Sequence, residues 1–82
     1  ASAEEMGAFA TDILKASIGG TNALNIGLPD SYRIETVHKV FIHKCIVEGK
    51  IGLGVIVDKS ANIGLVLLGM EKVIDIVRKE IT

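Results

Sequence analysis

Cys45 is the only cysteine among 82 residues, so no disulfide can close within the chain, and a reducing setting fits better than a secretory one. Tryptophan is absent, and Phe9, Tyr32 and Phe41 are the only phenylalanines and tyrosine, too few to build a base-stacking platform. No charge of either sign dominates. Nine Lys+Arg against ten Asp+Glu give a formal net charge of −1, which argues against a nucleic-acid partner held by phosphate neutralisation. Nor is there a long apolar run: the charge-free stretches from Ala16 to Pro29 and from Ser60 to Met70 fall short of the roughly 20 apolar residues of a spanning helix. Glu4 and Glu5 stand where a signal peptide would be basic, so the expectation is a cytoplasmic module without direct membrane insertion.

What is present is hydrophobic material, 49% of the residues, far too much for a disordered tail. No repeat, linker or low-complexity stretch marks a boundary, so residues 1–82 are expected to form a single domain. A chain of this size buries only about 60–65% of the surface its unfolded form exposes, which makes a second subunit a natural source of stability.

Ser2-Ala3-Glu4-Glu5 fits a capping box and predicts a helix from Ala3. Met6, Ala10, Ile13, Ser17, Gly20 and Leu24 then recur at steps of four and three, which lines them along one face made mostly of small residues. Gly19 and Gly20 each lower helix propensity by about 1 kcal/mol relative to Ala. Between Met6 and Pro29 the only charged residues are Asp12 and Lys15, so this helix lacks the charged face of an ordinary surface helix. Something outside the chain is expected to cover it. Gly27 suits the left-handed residue after a helix and Pro29 a stop.

From Tyr32 the period changes to two, with Tyr32, Ile34 and Thr36 on one face of a half-exposed strand. A second strand is expected from Val40 to Val47, although Val37-His38-Lys39 holds no turn residue and one bent strand from Tyr32 to Val47 is an open alternative. Glu48-Gly49-Lys50 supplies a turn into a third strand, Ile51 to Asp58. Gly52 and Gly54 on one of its faces suggest that a helix backbone lies close there. Asp58, Ser60 and Asn62 are candidate caps for a last helix of about 17 to 20 residues. Its second half is amphipathic, with Glu71, Lys72, Asp75, Arg78 and Lys79 wet and Met70, Val73, Ile74, Val77 and Ile81 toward the core. Its first turns, apolar all round, must be buried on several sides or meet a partner. The expected fold class is α+β: helix, three antiparallel strands, helix.

Chemistry-bearing residues are few. His43 and Cys45 form an i, i+2 pair able in principle to bind a metal or activate a thiolate, but two ligands do not make a site, and His38 is seven residues away. The competing reading is a buried strand cysteine beside a surface histidine. Gly52 and Gly54 lie inside a strand rather than in a phosphate-cradling loop, and the Asn62-Ile63-Gly64 turn lacks the lysine and further glycines of a P-loop. Glu71, Asp75 and Glu80, like Glu4 and Glu5, form solvated sets. His38, Lys39, His43 and Lys44 are expected on an exposed face or edge, where lysines discourage stray strand pairing. No catalytic, cofactor-binding or metal residue is assigned, and the expectation is a protein that is not an enzyme.

The apolar strand ending in Asp58, followed by Lys59-Ser60-Ala61-Asn62-Ile63-Gly64-Leu65-Val66 and a closing amphipathic helix, resembles the end of the Roadblock and dynein light chain family. In that family an Asn-Leu-Gly-Leu-like turn starts the helix, and Ile63 here replaces the usual Leu. The low-charge first helix, the strand near Tyr32 and the hairpin at Glu48-Gly49 match in order, while the family's first helix and two further strands have no counterpart in these residues. The resemblance implies a non-enzymatic homodimeric adaptor that binds or regulates a small GTPase. It implies a dimer interface along Met6, Ala10, Ile13, Ser17, Gly20 and Leu24 of the first helix and Tyr32, Ile34 and Thr36 of the first strand, without a cofactor. It also leaves the strand from Ile51 to Val57 as a bare apolar edge. Two alternatives stand beside it: a small-ligand or metal sensor built on His43 and Cys45, and a fragment that completes the fold of a larger partner.

Overall fold

The computed structural model describes residues 2–47 and 51–81, in the order α1 (Ala3–Leu24), β1 (Ser31–Glu35), β2 (Lys39–Val47), β3 (Ile51–Asp58) and α2 (Ile63–Ile81). This is the expected α+β order. The residues group into two compact units, Ala1–Asp30 and Ser31–Thr82.

In the first unit, α1 starts as the sequence dictates. The Ser2 hydroxyl accepts from the Glu5 N–H at 3.1 Å, and the Glu5 carboxylate accepts from the Ser2 N–H at 3.2 Å, which takes up N–H groups that the helix itself cannot pair. The far end differs from expectation. Asn25, not Gly27, takes the left-handed cap, with φ 57°, and its N–H reaches back to the carbonyls of Thr21 and Asn22; Gly27, with φ 95°, makes a second left-handed turn two residues later. Asn tolerates this region because its short polar side chain can bond locally.

The second unit is a three-stranded antiparallel sheet in the order β1-β2-β3, with α2 against one face. Val40 pairs with Val57, Ile42 with Val55 and Lys44 with Leu53, and since directly opposed residues share a face, these form the side on which α2 lies. Met70 packs there against Val40 and Ile42, with Leu53, Val55, Val57, Ile63 and Val66 around them. Ile74, on the same side of α2 as Met70, is 1% exposed. Val77 is half-buried, but Val73 and Ile81 are exposed, so the core stripe of α2 is narrower than its apolar pattern. The stripe is fixed by polar contacts on one flank: Glu71 pairs with Lys44, and Arg78 Nε donates to the Ile46 carbonyl at 3.2 Å.

The break between β1 and β2 needs no glycine or proline. The Thr36 N–H donates to the Lys39 carbonyl at 2.9 Å, and the Lys39 N–H donates to Thr36 Oγ1 at 3.0 Å, so a threonine side chain closes the turn. Thr36 therefore lies just beyond β1 rather than within it. The turn expected at Glu48-Gly49-Lys50 lies outside the described residues. Asn62 caps α2, its Oδ1 accepting from the Leu65 N–H at 3.2 Å.

Candidate interaction surface

Along α1, the expected track divides: Met6, Ala10, Ile13 and Ser17 are half-buried, whereas Gly20 and Leu24 are exposed, and no described residue of the helix is fully buried. The polar members of α1 are quieter than the sequence suggests. Ser17 Oγ donates to the Ile13 carbonyl at 2.8 Å, and Thr21 and Thr11 do likewise toward Ser17 and Gly7, so these hydroxyls use their protons within the helix. What such a face offers a neighbour is small and effectively apolar. A Cβ on Gly7, Gly19 or Gly20 would meet nothing within 4 Å, so the described chain places no demand for glycine at these positions.

On β1, Tyr32 and Ile34 are half-buried and share a face, opposite His43 and Phe41 of β2, while Arg33 and Glu35 occupy the other face and lie 3.7 Å apart. Here the structure corrects the expectation for β2. It is the central strand, not an edge, and His43 is buried at 8% exposure. His38 and Lys39 stay exposed, and Lys44 is half-buried in its pair with Glu71.

The His43 ring stacks on Tyr32 with centroids 5.0 Å apart, and Phe41 stands 6.0 Å from Tyr32 edge-on. Gly52 and Gly54 explain how an imidazole and a phenyl ring fit this sheet face. A Cβ on Gly52 would fall 2.4 Å from His43 Nε2, and one on Gly54 3.0 Å from the Phe41 ring. Rings from the adjacent strand, rather than a helix backbone, therefore account for both glycines. The glycines were visible in the sequence, but their neighbours follow only from the register, which runs from Lys39 opposite Asp58 and brings Gly52 beside Cys45 and Gly54 beside His43. His43 Nδ1 is buried with no hydrogen-bond partner among the described residues, and burial pulls the imidazole below its usual pKa. The Tyr32 phenol is pushed up, first by burial and then by the nearby Cys45 thiol. Cys45 shares this face through its pairing with Gly52, but no third histidine, cysteine, aspartate or glutamate among the described residues joins the pair to form a metal-holding group.

Two further apolar surfaces are exposed. On α2, Leu65, Leu68 and Ile76 face outward around Lys72, so its first turns are covered on the Ile63 and Val66 side alone and not all round. At the sheet margin, β3 has β2 as its only strand partner among the described residues, with Ile51 and Ile56 exposed. No described helix is long and apolar enough to cross a membrane. No family model, curated protein or solved structure matches this chain.

Proposed function

We propose that this chain is a non-enzymatic homodimeric adaptor of Roadblock type that binds or regulates a small GTPase in the cytoplasm. The observation that carries the reading is α1 itself: 22 residues, with Asp12 and Lys15 its only charges beyond the first turn and no described residue buried. An amphipathic helix gains most of its stability from covering its apolar face, so a helix built this way calls for a partner surface. The expected interface along Met6, Ala10, Ile13, Ser17, Gly20 and Leu24 has the small, hydroxyl-silenced character that close helix packing uses.

The sequence of β1 supports a second copy as the partner. In an antiparallel pairing of two β1 strands centred on Ile34, Arg33 of each copy stands across from Glu35 of the partner subunit. Opposed charges at both ends of a two-fold favour that register over a slipped one. The family resemblance alone supplies the GTPase. Sedimentation equilibrium of the chain at micromolar concentration tests the dimer. Co-elution with small GTPases, coupled to a nucleotide-hydrolysis assay, tests the client class; no co-elution and no change in hydrolysis would remove it.

A further inference from the structure

The two edges of the sheet differ in chemistry. β1 carries Arg33 and Glu35, whereas residues 51–57 of β3 contain neither a charge nor a proline. Natural sheets blunt an edge with such residues because an unpaired row of N–H and C=O groups is a template for another strand. β3 has no such guard. Its only strand neighbour among the described residues is β2, and Ile51, at 41%, and Ile56, at 48%, stand exposed along it.

We infer that the outer edge of β3 is an interface that takes β3 of a second copy, antiparallel and centred on Gly54. Two features of the strand favour its own copy as occupant. First, pairing sets the side chains of the incoming strand beside apolar neighbours, where an unpaired charge is costly, and β3 is itself a strand free of charge over seven residues. Second, the register keeps apolar groups together: Ile56 falls across from Gly52 of the partner subunit, over which a His43 ring lies, and Leu53 across from Val55 of the partner subunit. Because Gly54 opposes its own copy, each face continues across the two-fold, and Leu53, Val55 and Val57 join their counterparts on the α2 side. This contact uses the edge opposite to β1. Where both contacts form, two-folds alternate and assembly continues beyond the dimer as concentration rises.

Sedimentation velocity of the full chain over a range of concentrations tests this, with four proteins compared: wild type, the double variant Ile51→Lys/Ile56→Lys, Ala10→Glu, and the three substitutions combined. Ile51 and Ile56 are exposed, and circular dichroism verifies that the variants stay folded. Wild type is expected to grow past the dimer, and the double lysine variant to stop there, its further assembly weakened by about tenfold or more. Ala10→Glu is expected to stop at a dimer held by β3, and the combined variant to be monomeric. Hydrogen exchange supplies a second readout, with amides of residues 51–57 gaining protection as wild type is concentrated and losing that gain in the lysine variant. If the lysine variant reduces a dimer to monomer while Ala10→Glu changes nothing, the β3 contact stands and the α1–β1 dimer falls. If the lysine variant associates as wild type does, the β3 contact is wrong, whatever Ala10→Glu does.

Discussion

His43 and Gly52 occupy neighbouring strands so closely that a single added carbon on the glycine would lie 2.4 Å from the imidazole Nε2. No side-chain contact of that length is tolerated, so Gly52→Ala forces the ring off Tyr32 or the strands apart. The expected loss is about 1–3 kcal/mol in urea unfolding, well above the gain in backbone entropy that alanine brings. Combining it with His43→Ala should recover much of that loss, since the double variant has no ring to displace. A double-mutant cycle showing simple additivity would mean that the two residues do not meet.

Protonation of the same ring gives a pH dependence with a definite sign. Burial lowers the His43 pKa from its ordinary 6.5, so over the interval below 6.5 the unfolded chain holds a proton that the folded chain does not. Stability is therefore complete above about pH 6.5 and declines as the pH falls through the interval toward the lowered value. Urea midpoints at about pH 7.5 and about pH 5.5 should differ in wild type and differ less in His43→Gln. Equal pH slopes in wild type and His43→Gln would assign the effect to other groups.

The burial of His43 shows what the sequence could and could not convey. Alternation along β2 places His43 and Cys45 on one face, but it does not say that this face is closed, and a lone strand with lysines at positions 39 and 44 looks like an edge. The answer lay in β3, where glycines at 52 and 54 leave room for rings whose owners are identified only through the register. Local chemistry was far easier to read. The capping box at Ser2 and the Asn62 cap follow from residues within a few positions of each other, because their hydrogen bonds close locally, and β3 follows from its own unbroken apolar run. The turn at Thr36 falls between these cases: it is local, but it depends on a threonine hydroxyl rather than on a residue with unusual backbone freedom. For the interaction surface, the charge-poor face of α1 was visible as an absence, while the silencing of Ser17 required the carbonyl of Ile13 in place.

Asn62 carries a prediction independent of association. Its Oδ1 takes up the Leu65 N–H at the start of α2, and Ile63 and Val66 from that first turn pack on the core. Asn62→Ala removes the acceptor and should cost about 1 kcal/mol, whereas Asn62→Asp or Asn62→Ser should retain most of the stability. Urea midpoints measured in parallel decide this. A loss from aspartate as large as that from alanine would show that the carboxamide acts in some other way than as a cap.

Ser17 separates size from polarity in the proposed α1 interface. Its hydroxyl proton is already committed to the Ile13 carbonyl, so Ser17→Ala keeps the small profile and should leave association as it is in wild type. Ser17→Glu keeps the helix but sets like carboxylates into the contact between the two copies, and leaving a charge uncompensated on burial costs on the order of 3 kcal/mol. Dissociation should then appear at concentrations where wild type and Ser17→Ala are associated. Lys72→Glu reverses a charge on the exposed side of α2 and should shift stability by no more than about 0.5 kcal/mol, with no change in mass. Should Ser17→Glu leave sedimentation as it is in wild type, α1 is not buried between subunits, and the small residues along it must be explained by a partner of another kind.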